Sequence, residues 1–221
     1  MGAQQNAEWY DEMCRKTANS RSEPPWCSPW HPIWEHVVKL VAVSGPSRIV
    51  ELGCGPGAMA EMLHKKLPKV RYLGSDFSVV NIQIAQRRGL PKHYHFSVRD
   101  LVLEPVTINQ PKCTVVVTVE FLEHIIQDLQ VLDRLPIDTE VIFSLPDHDS
   151  EGHVRWFATA EEVDTRYRPL FSDLKVDTLE IGLRKYFIGH GHRSAPVTTV
   201  PPTTGPPTTV PPTTLPQESA A

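Results

Sequence analysis

The chain has 221 residues, 22% of them charged, and a net charge of −4. That is long enough for one domain with a sizeable core, and it offers no global attraction for a nucleic-acid duplex or an anionic membrane. The opening MGAQQNAEWYDEM lacks the features of a secretory signal, Asn6 breaks a myristoylation signal, and no apolar run nears the ~20 residues that span a bilayer, so a cytoplasmic protein with reduced Cys14, Cys27, Cys54 and Cys113 is expected.

Residues 1–45 hold four of the five tryptophans, Trp9, Trp26, Trp30 and Trp34, together with Tyr10, Pro24, Pro25, Pro29 and Pro32. This region reads as an aromatic, helical lid with an added helix over Pro32–Val43 that covers a sheet. From 46 to 193, short β-branched runs alternate with stretches of helical period, the pattern of a doubly wound, mostly parallel sheet. Strands are predicted at Ser47–Gly53, Arg71–Asp76, Tyr94–Asp100, Cys113–Glu120 and Thr139–Leu145. Helices are predicted at Gly57–Leu67, Ser78–Arg88, Ile125–Arg134 and Thr159–Tyr167. A closing antiparallel pair is expected within Phe171–Glu180 and Lys185–Gly189. Residues 194–221 are a proline and threonine repeat, expected to be a disordered spacer.

The segment Glu51-Leu52-Gly53-Cys54-Gly55-Pro56-Gly57 ends a strand and opens a helix, and its glycines let the backbone turn tightly against a ligand. Asp76 closes the next strand, where an acidic side chain suits a ribose diol. The G-x-G-x-G spacing, with no sign of a pyrophosphate-binding helix start, disfavours a dehydrogenase. Asp76 and Asp100 could instead serve only as local caps.

Through Glu51–Gly57 and the strand order that follows, the chain resembles the class I S-adenosylmethionine-dependent methyltransferases, which implies a Rossmann-like seven-stranded sheet. The resemblance implies that Gly53, Gly55 and Gly57 face the methionine and ribose, that Asp76 accepts from the ribose hydroxyls and that Phe77 packs on adenine. Asp100 would receive the adenine amino group, with the Leu101 backbone beside the ring. Tyr10, Glu51 and Glu120 complete the expected cofactor-lining set.

After the fourth strand, Glu120-Phe121-Leu122-Glu123-His124 puts two carboxylates and an imidazole at one strand end, donors that suit Mg²⁺ or Mn²⁺. This E-x-x-E-H element resembles that of metal-dependent O-methyltransferases, those of ubiquinone biosynthesis and of small-RNA 3′ ends. It implies a metal set of Glu120, Glu123, His124 and His153, with His148 competing for the last place. The remaining histidine of His124, His148 and His153 could collect a proton. An O-methyltransferase acting on a vicinal diol is expected. A sugar or glycan hydroxyl comes first, with a weaker resemblance to the rhamnose-methylating domain of large algal viruses. An RNA 3′ end is second, a catechol or quinone precursor third, and cofactor binding without catalysis is the non-enzyme alternative. No membrane or obligate protein partner is expected.

Overall fold

A computed structural model describes residues 2–195; the proline and threonine repeat lies outside the described residues apart from its first two positions. In chain order the elements are α1 (Ala7–Lys16), α2 (Ala18–Arg21), α3 (His31–Ser44), β1 (Arg48–Leu52), α4 (Ala58–Lys66), β2 (Arg71–Asp76), α5 (Val79–Gln86) and β3 (Tyr94–Val98). These are followed by β4 (Thr114–Thr118), α6 (Asp128–Asp133), β5 (Glu140–Pro146), α7 (Ala160–Tyr167), β6 (Lys175–Ile181) and β7 (Arg184–His192). The seven strands form one sheet in the order β3-β2-β1-β4-β5-β7-β6. β1 to β5 run parallel, and β7 is antiparallel to both β5 and β6. No described helix is long and apolar enough to cross a membrane.

β1, β4 and β5 are buried on both faces, so these central strands read as continuous apolar runs, as helix-covered parallel strands do. Ile49, Val115, Val117 and Ile142 pack under Ile33, Val37 and Val41 of α3 and Met59 and Leu63 of α4. Val50, Val116, Val141 and Phe143 face the opposite way, against Val131 and Leu132 of α6 and Val163 and Tyr167 of α7. α3 starts with Pro32 in its first turn and stops at Gly45, whose φ of 61° supplies the left-handed cap. α7 starts at Thr159, whose hydroxyl accepts from the Glu162 N–H, while Glu162 reaches back to the Ala158 N–H.

The helical lid takes definite bounds: residues 7–16 form a regular helix, with Asn6 accepting from the Trp9 N–H at 3.0 Å and Arg15 and Lys16 in the last turn. One expectation needs correction. The helix predicted from Ile125 begins only at Asp128, because Leu122–His124 take a short 3-10 turn and Ile125 is extended.

Candidate active site

The parallel strands deliver their carboxyl ends to one edge, where ligands bind in open α/β sheets. After β1 the backbone turns through Gly53, Gly55 and Gly57 at φ of 71°, 50° and 74°, a left-handed run that side chains with a Cβ resist. The turn is pinned from β2, since the Gly53 and Cys54 N–H groups donate to the Ser75 carbonyl. Asp76 Oδ2 accepts from the Gly55 N–H at 2.9 Å, and Oδ1 accepts from the Ser78 N–H at 2.9 Å. Asp76 therefore shapes the loop itself, and Oδ2 keeps a lone pair for a ligand hydroxyl. Burial pushes its carboxyl up from the usual value.

The three glycines are not equivalent. A Cβ at Gly53 would fall 2.5 Å from the Phe121 ring, and one at Gly57 would meet Ala85 of α5 at 2.9 Å. A Cβ at Gly55 would meet nothing within 4 Å, so this glycine fronts the open space above the loop. Gly57 thus serves helix packing rather than the ligand face. Glu51 lies beneath the loop, buried, accepting from the Tyr72 hydroxyl at 2.5 Å, and desolvation raises its pKa to about 8. Asp100 Oδ1 accepts from the Val102 and Leu103 N–H groups in a local turn, and Leu101 sends its side chain into the core, leaving only its backbone for a ligand.

The E-x-x-E-H element and the loop after β5 meet at the same edge. One ligand atom each from Glu123, His124 and His153 lies within 4.8 Å of the others. The backbone joins the two loops directly, the Val154 N–H donating to the Glu123 carbonyl at 2.8 Å. Glu123 is 0% exposed, and neither carboxylate oxygen has a hydrogen-bond partner among the described residues. Burial, then the neighbouring Glu120, drive its pKa well above the usual carboxyl value. His124 Nδ1 lies 3.1 Å from the Gly152 carbonyl and His153 Nδ1 lies 3.1 Å from the His148 carbonyl. A carbonyl only accepts, so both Nδ1 atoms carry the proton and both Nε2 atoms present lone pairs. Desolvation keeps both rings neutral, His124 falling to about 4 and His153 also lowered.

Glu120 does not join this group. Its φ of 52° turns the chain, its N–H donates to Ser144 Oγ at 2.9 Å, and that hydroxyl donates to Glu120 Oε1 at 2.9 Å, tying the carboxyl to β5. Burial raises it to about 7. His148 also stands apart, its ring 5.9 Å from that of His153 and its Nδ1 3.2 Å from Asp147 Oδ1.

The N-terminal segment closes over this edge. The Gly2 N–H donates to the His153 carbonyl, Gln4 accepts from the Ile126 N–H, and Asp11 accepts from Ser78 Oγ at 2.6 Å and the Val80 N–H. Tyr10 consequently sits between the Phe77 ring at 5.1 Å and the His124 ring at 5.8 Å, with Trp9 edge-on at 4.9 Å. Its buried hydroxyl has no partner among the described residues, and desolvation followed by Glu123 raises its pKa. The lid is narrower than the tryptophan count suggests. Beyond α2 the prolines break the helix, Trp26 stays 59% exposed with Lys65 over its ring, Trp30 is exposed, and Trp34 packs on the core.

Two arginine hubs have no signal in the sequence, because their partners are distant along it. Arg88 donates to the carbonyls of Pro56 and Arg21 and pairs with Glu61, joining the glycine loop, the N-terminal segment and α4. Asp128, fully buried, accepts two bonds of 2.8 Å from Arg166 and one of 2.7 Å from the Tyr167 hydroxyl. It also pairs with Arg155 at 3.2 Å, and Arg155 holds the carbonyls of Leu122, Ile125 and Ile126. Asp128→Ala strands these cations, and chemical denaturation should show a loss of about 3–5 kcal/mol; an unchanged midpoint would discard the hub.

Residues 50–135 match a methyltransferase domain family. The structure is similar to magnesium protoporphyrin IX methyltransferase from Synechocystis PCC 6803 with bound S-adenosylmethionine, with a TM-score of 0.62 at 16% identity over 88% of this chain and 100% of that one. The chain has the class I methyltransferase fold. The N-methyltransferase NodS from Bradyrhizobium japonicum WM9 shares this fold, with a TM-score of 0.57 at 17% identity over 76% of this chain and 97% of that one. Among curated sequences, the malonyl-[acyl-carrier protein] O-methyltransferase of Bacillus cereus is 32% identical over 120 residues, covering 52% of this chain and 44% of its own length. The trans-aconitate 2-methyltransferase of Yersinia pestis is 38% identical over 81 residues, covering 37% and 28%. The chain thus spans less than half the length of these curated relatives.

Proposed function

We propose that the chain transfers the methyl group of S-adenosylmethionine to a hydroxyl of a sugar or glycan, assisted by a divalent ion held by Glu123, His124 and His153. The glycine turn and Asp76 support the donor, as does the match to the methyltransferase domain family over residues 50–135. The observation that carries the ion is the polarity of the triad. A buried carboxyl without a donor faces two neutral imidazoles whose carbonyl-bound Nδ1–H groups leave Nε2 free. Histidine orientation by a backbone carbonyl is a common outer-shell arrangement of metal sites, and an unpaired buried carboxylate is costly without a cation or proton. When bound, Mg²⁺ or Mn²⁺ would supply positive charge that makes an acceptor hydroxyl more acidic.

The chain's own groups supply the rest. Glu123 carries the countercharge, His124 and His153 are the neutral donors, and Trp9 and Tyr10 offer an apolar wall for a sugar face and exclude water. The in-line displacement needs the acceptor held between this group and the glycine turn. His148, outside the triad, is the imidazole left to take up a proton. The named relatives act on malonyl and trans-aconitate acids, and a carboxylate acceptor is the second reading. The buried carboxyls of Glu123 and Asp76, with the half-buried Glu120, oppose a further anion here, which favours a hydroxyl.

Labelled S-adenosylmethionine tested against diol-bearing glycans, RNA 3′ ends, catechols and dicarboxylic acids, with and without Mn²⁺, discriminates these acceptors. Metal-dependent labelling of a glycan is expected. Labelling confined to a dicarboxylic acid and indifferent to metal would overturn the reading.

A further inference from the structure

The opposite edge of the sheet, where the parallel strands begin, carries a groove of about 760 Å³ lined by Arg48, Lys66, Lys69, Arg71 and Gln110. Arg48 opens β1 and Arg71 opens β2, and the two are direct register partners. Neighbouring strands lie ~4.8 Å apart, so two guanidinium side chains leave the same edge side by side. Like charges placed opposite each other across strands are destabilising. No carboxylate lines the groove. Among the described residues none of the four cations makes an ion pair, so no described carboxylate offsets their charge inside the concavity. The carbonyl end of α4 favours Lys66. Arg48, Lys69 and Arg71 lie outside that helix and have no such compensation. In a chain of net charge −4, the concentration of unpaired cations in one concavity is a local field that selects an anion.

We propose that this groove is a second ligand site, for a small molecule bearing a pyrophosphate group, gripped by Arg48 and Arg71 and flanked by Lys66 and Lys69. Paired guanidinium forks match phosphate oxygens two at a time, which a lone lysine does not. The volume falls in the range of small-molecule sites and is short for a nucleic-acid tract. β1 runs the full thickness of the sheet between the groove and the glycine turn, roughly 13 Å at about 3.3 Å per residue. A ligand here leaves the glycine turn free, so the site does not depend on the proposed methyl transfer.

Calorimetric titration of the full chain with inorganic pyrophosphate, without added metal, tests this, with a short single-stranded oligonucleotide as a parallel arm. Saturable pyrophosphate binding at one site per chain is expected. It should weaken by ~10-fold or more in R48Q/R71Q and by less in R48K/R71K, as expected for charge-assisted bidentate bonds. The melting temperature of unliganded R48Q/R71Q should equal or exceed that of the wild type, because a like-charge pair has been removed; lost binding is then not unfolding. Absence of pyrophosphate binding, equal affinity in R48Q/R71Q, or tighter binding of the oligonucleotide than of pyrophosphate would each overturn the proposal.

Discussion

Gly55→Val is expected to abolish S-adenosylmethionine binding while leaving the fold standing. Gly55 has a φ of 50°, and a Cβ added there meets nothing within 4 Å beyond its own chain neighbours. The folded chain then bears only the left-handed backbone cost of about 1–2 kcal/mol, a fraction of ordinary domain stability. The valine methyl groups would fill the space over the turn that the ligand must enter. An affinity loss of at least about 3 kcal/mol, roughly 100-fold, is expected in calorimetry. The same change at the neighbouring glycines would be uninformative. A Cβ at Gly53 collides with Phe121 and one at Gly57 with Ala85, so those variants disturb the fold and the site together. Wild-type affinity in Gly55→Val would move the cofactor away from this turn.

Removal of the metal, or of Glu123, is expected to reduce turnover to background while sparing cofactor binding. Glu123 lies at the carboxyl edge of the sheet, and among the described residues its two oxygens hold no hydrogen-bond partner that Glu123→Ala would strand. Chelation should abolish activity and added Mn²⁺ should restore it in the wild type but not in the variant. A pH signature accompanies this. The folded-state pKa of Glu123 is raised above the unfolded value, so in the metal-free protein its contribution to stability is full below about 4.5 and declines as pH rises toward the folded pKa. His124 works in the opposite sense: its pKa is lowered to about 4, so its contribution is full above about 6.5 and is lost as pH falls toward 4. Mn²⁺ binds the deprotonated carboxylate and the neutral imidazoles. Its stabilisation should therefore grow with pH, reaching about 2.7 kcal/mol when the free ion is at 100 times its Kd. Turnover unaffected by chelator, or an Mn²⁺-induced rise in melting temperature that is the same at pH 6 and pH 8, would reject the metal.

The architecture was legible because its signals are local. Arg71–Asp76 occupies the range predicted for it, and the glycine run, the acidic strand end and the closing antiparallel pair fall in the regions where sequence placed them. Of the candidate site, the sequence could name Glu123, His124 and His153, which come together here, but not their geometry. Nothing local tells that Ser144 draws Glu120 away, since the hydroxyl is 24 positions distant on β5. Nor does sequence reveal which imidazole nitrogens carry protons, because His124 is set by the Gly152 carbonyl of a distant loop and His153 by the way its own loop folds back onto the His148 carbonyl. The Asp128 hub depends on Arg166, 38 residues along the chain. The lid was expected to be helical, yet the bounds of α1 were not drawn although its Asn6 cap and basic last turn were present, because the aromatic and proline density of residues 1–34 obscured them.

The account rests most heavily on the glycine turn being a S-adenosylmethionine site, and calorimetric titration of the wild-type chain with the cofactor and with its demethylated product tests that directly. One site per chain is predicted for both ligands, with Asp76→Ala weakening each by about 1–3 kcal/mol through the buried donors it leaves unpaired. No measurable heat with either ligand, or binding that Asp76→Ala leaves untouched, would contradict it.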